Sequence, residues 1–343
     1  MIPNFQTEVK IPDFSWKTGY KHFTILMGSC FTENIGNRMY ALKYPVDLNP
    51  FGILYNPVSI AQALGIILQN KQFYETDLIQ HDGLWHSLYH HGKFSSYDRS
   101  KTLLNINQRL ESASLLLREA EFLFLSFGTA WIYEYKATGQ TVSNCHKMPD
   151  KEFKRFRLTP GEIVGEYRNL LPELWKLNPD LKVIFTVSPI RHWKDGAIEN
   201  QRSKATLILS IDQIIRGFGE ERCNYFPSYE IVMDELRDYR FYEEDMIHLS
   251  TSAITHIWKI FQDSLIDGAS LEISKKVQKV INALNHKPRN MLTQEYINFL
   301  RDSLKKAHQL QEEFPYLNLT FEIEQFSERI NKTADKNRSN ELS

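Results

Sequence analysis

His22-Phe23-Thr24-Ile25-Leu26-Met27-Gly28-Ser29-Cys30-Phe31 is an apolar run that breaks at a glycine and delivers a serine and a cysteine onto the segment that follows. The part before Gly28 reads as a short buried strand. Phe31, Ile35 and Met39 then recur at a helical interval, so a helix follows the glycine. Ser29 and Cys30 therefore fall at a strand-to-helix turn. The first N–H groups of a helix have no partner within it and its dipole is positive there, so such a turn stabilises a thiolate at Cys30 and holds an oxyanion. The plainer reading is that small residues at a tight turn only let a helix pack on its sheet. A second segment, Glu243-Glu244-Asp245-Met246-Ile247-His248-Leu249-Ser250, weighs against it by setting a carboxylate three residues before a histidine.

Further apolar runs occur at residues 122–127 and 182–187, with a weaker one at 225–232. Helical patterning separates them, at 58–69, 106–120, 162–177 and 203–218. Runs apolar on both faces suit a parallel sheet covered by helices, and the alternation predicts a doubly wound α/β fold. Residues just after the strands gather at the carboxyl edge of such a sheet. Ser29 and Cys30, Gly128 and Thr129, and Ser188 and Pro189 all fall there.

The chain of 343 residues carries 41 basic and 42 acidic side chains, so no overall field favours nucleic acid or an anionic membrane surface. Its three cysteines, Cys30, Cys145 and Cys223, do not form a disulfide framework and suggest a reducing compartment. The amino terminus lacks a basic start and an apolar core, and no apolar run approaches the roughly 20 residues that span a bilayer. The expectation is a soluble, cytoplasmic protein. Helical patterning continues at 271–284 and 293–314, and residues 331–343 are polar enough to read as a disordered tail. P-loop, dinucleotide and paired CxxC motifs are lacking, so no cofactor and no metal is expected.

Gly28-Ser29-Cys30-Phe31-Thr32 resembles the signature of the GSCFA family, departing at its last position, where Thr32 stands for Ala. That family is similar to the SGNH, or GDSL-like, hydrolases. Later landmarks of the resemblance are Asn49-Pro50-Phe51-Gly52-Ile53-Leu54-Tyr55-Asn56-Pro57, Phe127-Gly128-Thr129-Ala130-Trp131, Asn144-Cys145-His146-Lys147, Ser188-Pro189-Ile190-Arg191-His192 and the Asp245–His248 pair. It implies a three-layer α/β/α, flavodoxin-like parallel sheet over residues 1–268, a helical carboxyl-terminal extension over 269–330, and the tail. Overlaying the SGNH pattern puts Cys30 at the nucleophile position, with Asp245 and His248 completing a triad and Ser29 as the alternative nucleophile or a helix cap. The side-chain oxyanion donor of the SGNH enzymes, an Asn two residues after a glycine, is missing, because Gly128 is followed by Thr129 and Ala130. Backbone N–H groups of Cys30 and Gly52 remain, with the Thr129 hydroxyl or the Asn144 amide as supplements.

Smaller signals surround these. Asn56 in its Pro-flanked loop is a turn former or a ligand. Arg191, His192 and Lys147 suit an anionic or carbohydrate substrate, or surface ion pairs. Cys145 and His146 lack a recognised metal-ligand spacing with His86, His90 or His91. Trp131, Tyr133, Trp193, Tyr239, Phe241 and Tyr242 offer one or two pocket positions beside the core. The function implied is acyl-ester hydrolysis or acyl transfer on a glycan or another small hydroxylated substrate. Two alternatives stay open: a ligand-binding module that has lost turnover, and a cysteine-dependent transferase using a thioester or amide donor.

Overall fold

The computed structural model describes residues 7–341, with side chains through Thr333. Two compact units make up the chain. The larger comprises the segment up to Thr18 with residues 22–37 and 46–265; the smaller takes Gly19–Lys21, Arg38–Pro45 and the chain from Ile266 onward.

The larger unit is built on five parallel strands: β1 (Thr24–Gly28), β2 (Val46–Leu48), β5 (Phe122–Phe127), β9 (Lys182–Val187) and β10 (Cys223–Tyr225). Every residue of β1 and β5 is buried, which is why neither shows an alternating pattern. The spatial order is β10-β9-β5-β1-β2. Counting the sheet strands along the chain gives 2-1-3-4-5, the flavodoxin-like order, whose switch point lies between β1 and β5. A ligand crevice is expected at the carboxyl edge there. One face of the sheet packs Ile25, Met27, Leu125, Phe127 and Phe185 against helices α2 (Pro57–Gln69), α3 (Arg99–Glu119), α4 (Pro160–Leu177) and α5 (Gly196–Phe218). On this face Tyr167 of α4 meets Phe127 and Phe185 at centroid distances of 5.3 and 5.7 Å. The opposite face presents Leu26 and Phe124. Phe124 meets Phe261 of helix α7 (Thr251–Leu265) edge-on, and Gly36 of helix α1 (Cys30–Ala41) lies against Leu48. Helices on both faces of a parallel sheet make the expected three layers.

The weak apolar run at 225–232 is not a strand. Strand β10 ends at Tyr225, and after Pro227 the chain folds into a short turn of helix, α6 (Ser228–Glu230), followed by a π turn (Ile231–Glu235). Proline has no N–H for a ladder, and the Ser228 hydroxyl donates to the Val187 carbonyl at 2.9 Å instead. Two small antiparallel sheets were not legible in advance. One pairs β3 (Ile79–His81) with β4 (Leu84–His86), and the other sets β6 (Trp131–Tyr135) between β7 (Gln140–Val142) and β8 (Phe153–Arg157).

The smaller unit contains α8 (Gly268–Asn285), α9 (Gln294–Glu313) and α10 (Thr320–Glu341). Asp267 and Thr293 cap the first two. Tyr20 stacks on Tyr44 at 4.2 Å, and Lys43 pairs with the buried Glu322 at 2.8 Å. The polar stretch read as a tail from residue 331 is helical through Glu341, because it continues the helix that begins at Thr320; residues 342–343 lie outside the described residues.

His90 in the larger unit is 2% exposed, stacked on Phe51 at 4.2 Å with Phe73 and Phe94 edge-on. Burial, then the nearby His146, pushes its pKa down to about 3. The unfolded chain binds a proton at His90 near pH 6.5 and the folded chain does not. Stability is therefore lost as pH falls below 6.5, by on the order of 2 kcal/mol at pH 4.5 from this residue. Urea unfolding of the wild type and His90→Phe at pH 7 and pH 4.5 should show a smaller acid loss in the variant.

Candidate active site

Strand β1 ends at Gly28, whose φ of 143° suits glycine alone; a Cβ there would lie 2.3 Å from the Ser126 carbonyl oxygen. The chain then turns into α1. Ser29 is 2% exposed and faces inward, its Oγ 3.2 Å from Ser126 Oγ while accepting the Phe31 N–H at 3.3 Å, as a helix cap does. Cys30, the first residue of α1, is half-buried and lines a cleft of about 330 Å³. Its Sγ lies 3.7 Å from Tyr55 Oη. Burial, then the neighbouring Cys30, raises the pKa of the Tyr55 phenol, which stays protonated beside the sulfur.

His248 lines the same cleft from a different part of the chain. Asp245 and His248 sit in one tight turn, with Met246 at a φ of 58°. The Asp245 carboxylate builds that turn. Its Oδ1 accepts the N–H groups of Ile247 (2.8 Å) and His248 (2.9 Å), and its Oδ2 lies 2.5 Å from His248 Nδ1. The hydrogen bond from the His248 ring, then those from the two backbone N–H groups, lowers the Asp245 pKa to about 2. With Nδ1–H committed to the carboxylate, Nε2 carries the lone pair. No hydrogen bond joins Cys30 to His248 among the described residues.

The remaining expected residues divide. Asn56, Thr129, Arg191 and His192 line the cleft, whereas Gly52, Asn144 and Lys147 do not. The Gly52 N–H is already donated to the Asn49 carbonyl at 2.8 Å, and the Asn144 side chain accepts the His146 N–H to form a turn. The Gly52 N–H is thereby committed, and Asn144 lies outside the cleft lining. Asn56 caps α2 through the Ser59 N–H, and the Thr129 hydroxyl is 3.1 Å from Ser203 Oγ. His192 sets its ring edge-on to Tyr55, and its Nε2 lies against Gly128, 3.2 Å from where a Cβ would be. Burial, then the positive charges of Lys204 and Arg155, lowers its pKa to about 4, so the imidazole is neutral at pH 7. Trp131 and Tyr133, from β6, form the cleft wall together with Arg155, whose guanidinium lies 4.3 Å from the Trp131 ring. Cys145 and Cys223 are free thiols, and among the described residues no group of three His, Cys, Asp or Glu side chains is placed to hold a metal ion.

One residue was passed over in the sequence. Lys204 of α5 is fully buried, and its Nζ donates to the carbonyls of Gly128 (2.7 Å) and Ser188 (2.6 Å), the residues that follow β5 and β9. Burial, then the charge of Arg191, lowers its pKa to about 7. Its spacing with Leu207, Ile211 and Ile214 puts a lysine on the apolar stripe of an amphipathic helix, and that was the available signal.

Fold and cleft together define a parallel α/β protein with a cysteine at its β1–α1 turn and an aspartate-oriented histidine across from it. The chain belongs to the GSCFA family, whose model matches residues 24–261; the model of the GSCFA domain protein, C-terminal domain, matches residues 277–332. No curated protein matches the chain. Among solved structures it is similar to a carbohydrate esterase family 3 protein from Talaromyces cellulolyticus (9% identity, 75% of this chain and 99% of that one, TM-score 0.34). A second is an acetyl xylan esterase from the rumen bacterium Butyrivibrio proteoclasticus (12% identity, 74% of this chain and 66% of that one, TM-score 0.34). Likenesses at this TM-score carry no weight for the chemistry of the cleft. No helix among the described residues is long and apolar enough to cross a membrane.

Two outcomes follow from these contacts. Ser29→Ala should cost about 1 kcal/mol in chemical denaturation, as loss of a helix cap does. For Lys204, whose folded pKa is depressed, the unfolded chain holds the extra proton between pH 7 and the ordinary lysine range. Stability should therefore rise with pH across that interval, by roughly 1 kcal/mol per pH unit from this residue. The difference in unfolding free energy between wild type and Lys204→Met, measured at pH 7, 8 and 9, should widen accordingly.

Proposed function

We propose that the chain is a cysteine-dependent acyl-ester hydrolase or acyltransferase, acting on a small or glycan-borne ester. Cys30 is the nucleophile, His248 the acid and base, and Asp245 its orienting carboxylate. The observation that carries this reading is the Asp245–His248 pair opening on the same cleft as the Cys30 thiol. In the reaction, the thiol proton passes to His248 Nε2 as Sγ bonds to the acyl carbonyl carbon. Collapse of the tetrahedral intermediate breaks the ester C–O bond, and the proton on His248 leaves with the alcohol. Water, or an acceptor hydroxyl, then gives its proton to His248 as its oxygen bonds to the acyl carbon; collapse breaks the C–S bond, and His248 returns the proton to the Cys30 sulfur. Asp245, ionised well below neutral pH, holds the imidazole tautomer throughout.

The oxyanion needs donors. The Cys30 N–H stands at the first position of α1, where the helix supplies no carbonyl for it. His192 is the side-chain donor in this reading. A neutral imidazole protonated on Nε2 offers one N–H beside Gly128, in the region where the SGNH pattern has its asparagine.

Turnover of aryl acetates and acetylated sugars by wild type, Cys30→Ala, His248→Ala and the double variant tests the reading. Each single variant should lose at least about 100-fold, and the double variant no more than either, because the two residues act as one unit. An acylated Cys30 peptide, trapped by acid quench and found by mass spectrometry, should accompany turnover. Undiminished turnover in Cys30→Ala rejects the assignment.

A further inference from the structure

The cleft described above is lined by four cationic or titratable basic groups beyond His248, namely Arg155, Arg191, His192 and Lys194, and by no acidic side chain. Their existing partners differ. The Arg155 guanidinium is held by both carboxylate oxygens of Asp195, and Lys194 donates to the Tyr133 hydroxyl at 2.9 Å. His192 is neutral. Neither Lys194 nor Arg191 is ion-paired to a carboxylate among the described residues, but Lys194 has its phenol oxygen, whereas the Arg191 Nη2 lies 3.5 Å from the Met233 sulfur, a weak acceptor, and its guanidinium 5.9 Å from the Trp193 ring. It is half-buried, and its charge is near enough to the fully buried Lys204 to lower that residue's pKa.

A guanidinium with no carboxylate partner in a partly desolvated site is unfavourable unless something anionic arrives. A guanidinium is built to accept such a group through two parallel N–H bonds, from either a carboxylate or a phosphate. Trp131 and Tyr133, which line the same cleft, are aromatic rings of the kind that hold sugar rings.

We propose that the ligand of this cleft is an acidic sugar, and that Arg191 receives its anionic group while the ester is presented to Cys30. This rests on the reading of the cleft as an acyl-transfer site, and it adds the substrate class. Arg191 acts on specificity and not on the bonds that break: it lines the cleft and has no hydrogen bond to Cys30, Asp245 or His248. Charge on the substrate then sets how tightly it binds, and the triad sets how fast its ester reacts.

Binding and turnover separate the two ideas. Isothermal titration calorimetry of the wild type with trigalacturonate, glucose 6-phosphate and neutral xylotriose reads the anion requirement without chemistry. At least one anionic ligand should bind tenfold or more tightly than xylotriose; trigalacturonate alone identifies a carboxylate, glucose 6-phosphate alone a phosphate. Arg191→Met should abolish that preference, and Arg191→Lys, which keeps the charge and loses the fork, should retain part of it. Xylotriose binding as tightly as the anions, no binding of any anion, or an unchanged preference in Arg191→Met would each overturn the proposal. Acetylated forms of the same sugars report separately on chemistry. Equal kcat/KM for acidic and neutral esters removes the acidic-sugar class and leaves the acyl-transfer reading standing, whereas anion binding without turnover of any ester keeps the Arg191 site and removes that reading.

Discussion

At the carboxyl edge of the sheet, a short chain of hydrogen bonds ties together loops that are far apart in sequence. The Gly28 carbonyl accepts the Leu54 N–H, and the Tyr55 carbonyl accepts the N–H groups of both Gly128 and Thr129. The Gly128 carbonyl in turn accepts Lys204 Nζ, which also holds the carbonyl of Ser188. Residues after β1, β5 and β9 are thus fixed against one another, and the cleft is the space they leave. Each of these bonds is worth only about 1 kcal/mol net. Their weight comes from burial, since a carbonyl released inside the protein loses its partner and gains no water.

Burial also sets the charge of several groups along this edge. Burial keeps His192 neutral and Tyr55 protonated, and it pulls Lys204 toward neutrality, so these three hydrogen-bond without presenting full charges. Asp245, by contrast, is ionised and exposed. Its charge is stabilised by hydrogen bonds from its own turn and from His248, not by desolvation of a partner. Such an arrangement suits a site where charge develops during a reaction, because the fixed dipoles surrounding it are already oriented.

Much of the fold was legible, and for a simple reason. Strands buried on both faces, such as Phe122–Phe127, must be apolar throughout, and helices between them must carry an apolar stripe; both patterns survive in one dimension. What escaped notice lacks that signature. Strand β2 is three half-buried residues, and the insert carrying β6, β7 and β8 has short strands whose pairing depends on antiparallel turns. The run at 225–232 looked like a strand by composition, yet Pro227 and the reach of Ser228 to Val187 ended the ladder. The triad candidates were legible as a motif at each end of the larger unit, while Tyr55 and Lys204 were not singled out, because their importance lies in atoms contributed by other elements.

From the sequence by itself came the alternation of strand and helix, the strand-to-helix turn at Gly28 that sets Ser29 and Cys30 side by side, and the Asp245–His248 spacing. These are local properties, dictated by which residues tolerate a buried strand, a tight turn or a carboxylate beside an imidazole. Only the tertiary structure decided that Ser29 faces inward as a cap while Cys30 faces the cleft, and that His248 borders that cleft. It also committed the Gly52 N–H to the Asn49 carbonyl and set Asn144 outside the cleft lining, since whether an N–H is free depends on which carbonyl the rest of the chain brings to it. Partner availability is a three-dimensional quantity, and no spacing along the chain encodes it.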